Sequence, residues 1–254
     1  KVRVVALDPR GASLVTPPAT LWELAGGYYP TVYREPSGVA RMIAARPLVP
    51  QGRLRELVSL RLEDGVVQWG LPLAARPGEF FYTDSVPLRA ADGRVDRLAV
   101  GTGDVSDSNG RVYVVGVDGR ERAQTMPIMT LASGQGQPSA FDVTGDGSED
   151  VLATMAAPMR AFDGRTAALL GESGPSLAWT AVVVHDLEGH GSVDVVSAAS
   201  HYAPAGFSIA PSGTAAAFQT RWSASSDVPT PTSPCGVSVV SCPGGLRLSG
   251  ALAN

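Results

Sequence analysis

Lysine is nearly missing from this chain: Lys1 is the only one in 254 residues, so almost every positive charge is an arginine. That bias reads as the coding habit of a GC-rich genome and points to no function. Histidine is almost as scarce, at His185, His190 and His201, and cysteine occurs twice, at Cys235 and Cys242. With no second cysteine pair to complete a zinc site, these two read as a local disulfide of an oxidising compartment, with two free thiols as the alternative. No run approaches the ~18 apolar residues that cross a bilayer as a helix. The 20 Lys and Arg against 24 Asp and Glu leave a net charge of −4, which argues against a nucleic-acid partner and its need for a basic face. There is no initiating Met and no signal peptide, so the chain reads as a mature or trimmed product. Helical periodicity is absent almost everywhere, and the best helix candidate is a single turn over residues 20–25 that reads equally as loop. A Gly-x-Ser-x-Gly elbow, a phosphate loop and a dinucleotide fingerprint are all missing, so no catalytic residue is assigned.

What is present describes a folded chain. Hydrophobic residues make up 44% and charged residues 17%, which fits a globular protein and not a disordered one. The most informative stretch is residues 142–150. Oxygen-bearing side chains fall at its positions 1, 3, 5 and 9 (Asp142, Thr144, Asp146, Asp150), Gly147 stands at position 6, and the apolar run Val151, Leu152, Ala153 follows. Alternate spacing brings several oxygens into one small loop, and a hard cation such as Ca2+ wants such a shell. An EF-hand would need a Glu at position 12, where this chain has Ala153. The expected ligands are Asp142, Thr144, Asp146, the Ser148 carbonyl and Asp150, in a loop that feeds a strand. A degenerate copy starts 44 residues later: Asp186, Glu188 and Asp194 keep positions 1, 3 and 9, Gly191 keeps position 6, and His190 replaces the ligand at position 5. His185, His190 and His201 beside these acids read either as a transition-metal site or as flanks of a decaying repeat.

A strand, a Gly-containing turn and a second strand recur at residues 2–12, 57–69, 112–123, 159–170 and 207–222, with starts 55, 55, 47 and 48 residues apart. Further apolar strands precede three of them at 96–101, 150–154 and 194–198. Asp118-Gly119 and Asp163-Gly164 stand where tight hairpin turns are needed. Four short strands in about 50 residues is the arithmetic of a propeller blade, so the expected fold is an all-β propeller of repeated four-stranded blades, about five of them recognisable.

The 142–150 loop, the strand after it and the 159–170 hairpin resemble the FG-GAP/VCBS repeat, the blade of integrin-α-like β-propellers. Asp142, Asp146, Gly147 and Asp150 match that pattern, with Thr144 as a weaker ligand. Asp186, Glu188, Gly191 and Asp194 match it again, with a departure at His190. Leu21-Trp22 is similar to the blade ends of the related quinoprotein-like repeats. The resemblance covers residues 80–222 well and 1–79 loosely. It implies a calcium-stiffened module, secreted or at the cell surface, that serves adhesion, carbohydrate binding or assembly through an extracellular protein or glycan. Two other functions stay open: a subunit of an extracellular filament or surface layer, and a lyase-like enzyme of polysaccharide breakdown.

The expected organisation is a propeller over residues 1–222, a Ser/Thr/Pro-rich linker over 223–234 and a Cys-containing hairpin or closing strand over 235–254. That last hairpin would close against residues 2–6 or pair with another chain. Trp22, Trp69, Trp179 and Trp222 fall near the ends of repeat units and read as packing between blades. Tyr28, Tyr29 and Tyr33 are a candidate platform for stacking on a sugar, and the polar run 104–110 reads as a solvated loop.

Overall fold

Runs such as Val112, Tyr113, Val114 and Val115 are β-branched or aromatic and end in turn residues, and such runs become strands. The computed structural model describes residues 2–5, 20–25, 28–48, 55–72, 79–104, 110–126, 138–153, 158–173, 182–186, 193–197, 205–212, 215–223, 234–242 and 245–252. It is all-β among these residues, and no helix in it is long and apolar enough to cross a membrane.

The strands fall into six antiparallel sheets in chain order. The first sheet pairs Val2–Val5 (β1) with Thr20–Leu24 (β2). The second holds Tyr28–Arg34 (β3), Ala40–Pro47 (β4), Arg55–Arg61 (β5) and Val67–Pro72 (β6). The third holds Glu79–Arg89 (β7), Val95–Asp104 (β8), Val112–Gly116 (β9) and Glu121–Gln124 (β10). The fourth holds Ser139–Phe141 (β11), Asp150–Ala153 (β12), Arg160–Phe162 (β13) and Leu169–Glu172 (β14). The fifth holds Val182–His185 (β15), Val193–Ser197 (β16), Ala205–Ser212 (β17) and Ala215–Ser223 (β18). The sixth pairs Pro234–Cys242 (β19) with Gly245–Leu252 (β20). Each complete sheet is a meander, so every strand pairs with its neighbour in the chain.

Alternation along the middle strands then stacks the sheets. Ile43 and Ala45 of β4 pack with Leu98 and Val100 of the third sheet, whereas Met42 and Ala44 turn to the other face and pack with Leu24 of the first. Likewise Val151 and Ala153 of β12 meet Ala99 and Val114 of the third sheet, and Leu152 meets Val193 and Val195 of the fifth. Four cores result, each shared by two successive sheets. Strands covered on both faces are mostly apolar, which explains the hydrophobic runs 112–115 of β9 and 151–153 of β12. Fourth strands such as β6 are half exposed.

Tryptophan couples neighbours directly. Trp69 on β6 donates its Nε1–H to the Val117 carbonyl of the third sheet at 2.8 Å, and its ring lies on Gly119. Trp22 on β2 repeats this with the Leu62 carbonyl at 2.8 Å and Gly65. Both glycines take positive φ, and a Cβ on either would lie 2.6 Å from the indole, so a glycine is the residue that admits both the turn and the ring. Arg97 of β8 makes a third cross-sheet tie, donating to the Gly164 carbonyl at 2.6 Å.

Several expectations are corrected here. Residues 20–24 form a strand, β2, and not a helical turn, because their alternating pattern pairs with β1. Tyr33 is 5% exposed in the core between the second and third sheets, so its ring is not an open stacking platform. The terminal hairpin forms, but its strands pair with each other while β1 pairs with β2, and among the described strands no ladder joins residues 234–252 to residues 2–5. Trp179 and the linker stretch 224–233 lie outside the described residues.

Candidate functional site

Among the described residues, the connections between first and second and between third and fourth strands of the second, third and fourth sheets are short, and the meander places both at the same end of its sheet. The 142–150 loop is one of them, closing β11 onto β12 with Phe141 opposite Asp150. Two carboxylates organise it. Asp142 accepts the backbone N–H of Gly145 at 2.7 Å and of Asp146 at 3.1 Å on Oδ1, and that of Gly147 at 2.8 Å on Oδ2. Asp150 accepts Val143 N–H at 3.1 Å, Thr144 N–H at 3.2 Å and the Thr144 hydroxyl at 3.1 Å on Oδ2. Its Oδ1 takes Gly164 N–H at 3.2 Å. Gly145 and Gly147 both adopt positive φ, which turns these amides inward. Burial pushes the Asp150 carboxyl above its ordinary range, against the opposing pull of these donors.

The remaining groups face an arginine. Arg165, from the β13–β14 turn, donates Nη1–H to Asp146 Oδ2 at 3.0 Å and Nη2–H to Ser148 Oγ. Asp146 Oδ1 accepts Ser148 N–H at 2.8 Å. Glu149 reaches into the third sheet, where its carboxylate accepts Arg89 N–H at 2.7 Å and the Arg89 guanidinium at 3.1 Å.

The predicted ligands Asp142, Thr144, Asp146, Ser148 and Asp150 are therefore gathered in one loop. Their donors suit Ca2+ in kind, being hard oxygens, and each carboxylate keeps lone pairs beyond the bonds above. Their present aim is toward backbone amides and Arg165, and among the described residues no three His, Cys, Asp or Glu side chains converge as a metal centre needs. The contributions of Arg165 and Glu149 were missed from sequence. A usable signal was the recurrence of Asp-Gly-Arg at 92–94, 118–120 and 163–165, in two turns of the third sheet and one of the fourth.

The degenerate copy occupies the same structural position. Asp186 follows β15 as Asp142 follows β11, and His185 pairs with Asp194 as Phe141 pairs with Asp150. Asp194 is buried. Glu188 and His190 lie outside the described residues, as does His201. Cys235 and Cys242 fall on the single strand β19.

At the same end a cleft of about 670 Å3 opens between the second and third sheets, lined by Tyr33, Arg34, Pro36, Pro87, Arg89 and Arg94, with Glu35. Glu35 is already engaged by Arg41 at 2.7 Å. Arg94 is exposed, and its nearest carboxylate, Asp92, is 3.7 Å away. Arg34, Arg89 and Arg94 line this cleft against Glu35, with Arg89 paired to Glu149 of the neighbouring loop.

No family model and no curated protein matches the chain. Solved structures share its fold. The exotype rhamnogalacturonan lyase YesX superposes with a TM-score of 0.61 at 14% identity, over 87% of this chain and 42% of that one. A rhamnogalacturonan lyase of Bacillus licheniformis gives 0.62 at 12%, over 88% and 44%. The rhamnogalacturonan lyase YesW gives 0.63 at 13%, over 92% and 47%. The chain thus spans less than half the length of these structures, and the likeness is one of fold.

Proposed function

We propose that this chain is part of an extracellular β-propeller, stiffened by calcium at its hairpin-turn end, that binds an acidic polysaccharide. The observation that carries the reading is the arginine-lined cleft between the second and third sheets. Guanidinium groups present forked donors that match carboxylates, and Arg34 and Arg94 at one cleft, beside the Arg89–Glu149 pair, suit a chain of uronate residues. The propeller reading is supported by strand placement: β3, β7, β11, β15 and β19, each the first strand of its sheet, lie beside one another in succession. Radial blades bring their innermost strands together in this way. Calcium at Asp142, Thr144, Asp146, Asp150 and the Ser148 carbonyl would neutralise clustered acids and pin the loop.

Binding of polygalacturonate and of neutral dextran by wild type and by an Arg34→Gln/Arg94→Gln variant tests the first half. Wild type should hold the acidic chain, more weakly as salt rises, and the variant should lose about tenfold or more in affinity. Equal affinity for both polymers would overturn the reading. Calorimetry with CaCl2 and melts in calcium and in EDTA, on wild type and Asp146→Ala, test the second half. A second reading, cleavage of such a polysaccharide, is favoured by the fold shared with three rhamnogalacturonan lyases. New reducing ends released from rhamnogalacturonan would establish it, and binding without release would refute it.

A further inference from the structure

The loop at 142–150 already contains a cation of its own. Arg165 bridges the Asp146 carboxylate at 3.0 Å and the Ser148 hydroxyl, and thereby engages two of the five residues assigned to calcium. The other two Asp-Gly-Arg turns behave differently: Arg94 and Arg120 reach no further than the aspartate of their own turn, at 3.7 Å and 3.8 Å. Arg165 crosses to a neighbouring loop because its backbone is fixed against that loop. Asp163 accepts the Arg165 amide at 2.8 Å and the Thr166 amide at 2.7 Å. Gly164 lies so close to the loop that a Cβ there would meet the Glu149 carbonyl oxygen at 2.0 Å. Its N–H bonds Asp150 and its carbonyl holds Arg97. The Arg165 side chain, by contrast, is 53% exposed, with water to swing into.

We propose that Arg165 is the resident counter-cation of the loop and that calcium must displace it from Asp146 in order to bind. The proposal rests on the calcium reading of residues 142–150 and deepens it. A guanidinium and a divalent cation compete for one carboxylate oxygen, because their charges repel at that distance. The exchange has two consequences. Without metal the loop keeps its shape, since Arg165 offsets the repulsion among Asp142, Asp146 and Asp150. With metal, affinity is lowered by the work of removing Arg165, which places the site toward the ~0.1–1 mM range of extracellular calcium modules.

The test uses the full chain, stripped with EDTA, as wild type, Arg165→Gln, Arg165→Lys and Arg120→Gln. The last makes the same charge change in the equivalent turn of the third sheet, without touching the loop. Each is titrated with CaCl2 by calorimetry and melted with and without calcium. Arg165→Gln should bind calcium about two- to fivefold more tightly than wild type, the factor expected for losing one half-exposed competing pair. It should also melt lower in EDTA and gain more from calcium, while Arg165→Lys falls between and Arg120→Gln follows wild type. Calcium binding by Arg165→Gln where wild type shows none would support the exchange most strongly. Equal or weaker binding by Arg165→Gln would overturn it and leave the calcium reading standing. Absence of binding in all four proteins would overturn both.

Discussion

Single residues fix how neighbouring sheets meet. Trp69→Phe keeps the ring over Gly119 but removes the N–H donated to Val117, and should lower stability by about 1–2 kcal/mol in a denaturant titration. Gly119→Ala should cost more, because the new Cβ meets the indole at 2.6 Å and φ is +81°. Asp163 gives a pH-dependent case. Burial pushes its carboxyl up, but the amides of Thr166 and Arg165 and the Thr166 hydroxyl outweigh that and hold it below its ordinary 3.8. A depressed carboxylate stabilises the fold above its unfolded value, and that contribution fades as pH falls through the folded value. The stability gap between wild type and Asp163→Ala, about 1 kcal/mol at neutral pH, should therefore close below pH 3.8, and a constant gap would contradict this assignment. The tryptophans were legible as residues ending a repeat. Their glycine partners were not, since Gly119 is 50 residues from Trp69 and matters through the side chain it lacks.

At the scale of elements, covered middle strands are the rigid part. Amide exchange should be slowest in β4, β8, β9 and β12 and fastest in the half-exposed fourth strands β6, β10 and β14. Phe162→Ala, in the core shared by the third and fourth sheets, should cost about 3–5 kcal/mol. If Cys235 and Cys242 of β19 are bridged, neither should react with a thiol reagent after unfolding without reductant, and reaction of both would show two free thiols. The hairpins at 57–69, 112–123, 159–170 and 207–222 were all read from sequence, and each is the third and fourth strand of its sheet. First strands were harder to see. β3 follows Gly26-Gly27 and contains Pro30, and β7 contains Pro87, so turn-like composition masked them. In the loop, the acids and glycines were visible because they are local, whereas Arg165 and Arg89 arrive from other turns.

For the whole molecule, the meander has a kinetic and an evolutionary side. The most widely separated strand partners, Glu79 and Asp104, are only 25 residues apart. Among the described strands no ladder must wait for a distant segment to arrive, so strand pairing is local for an all-β chain and refolding should be fast for its class. A stopped-flow refolding phase as slow as that of a Greek-key sandwich of similar stability would contradict this. The same locality lets the architecture lengthen by duplication: a copied segment of about 50 residues brings all its own hydrogen bonds and needs only two faces to stack on.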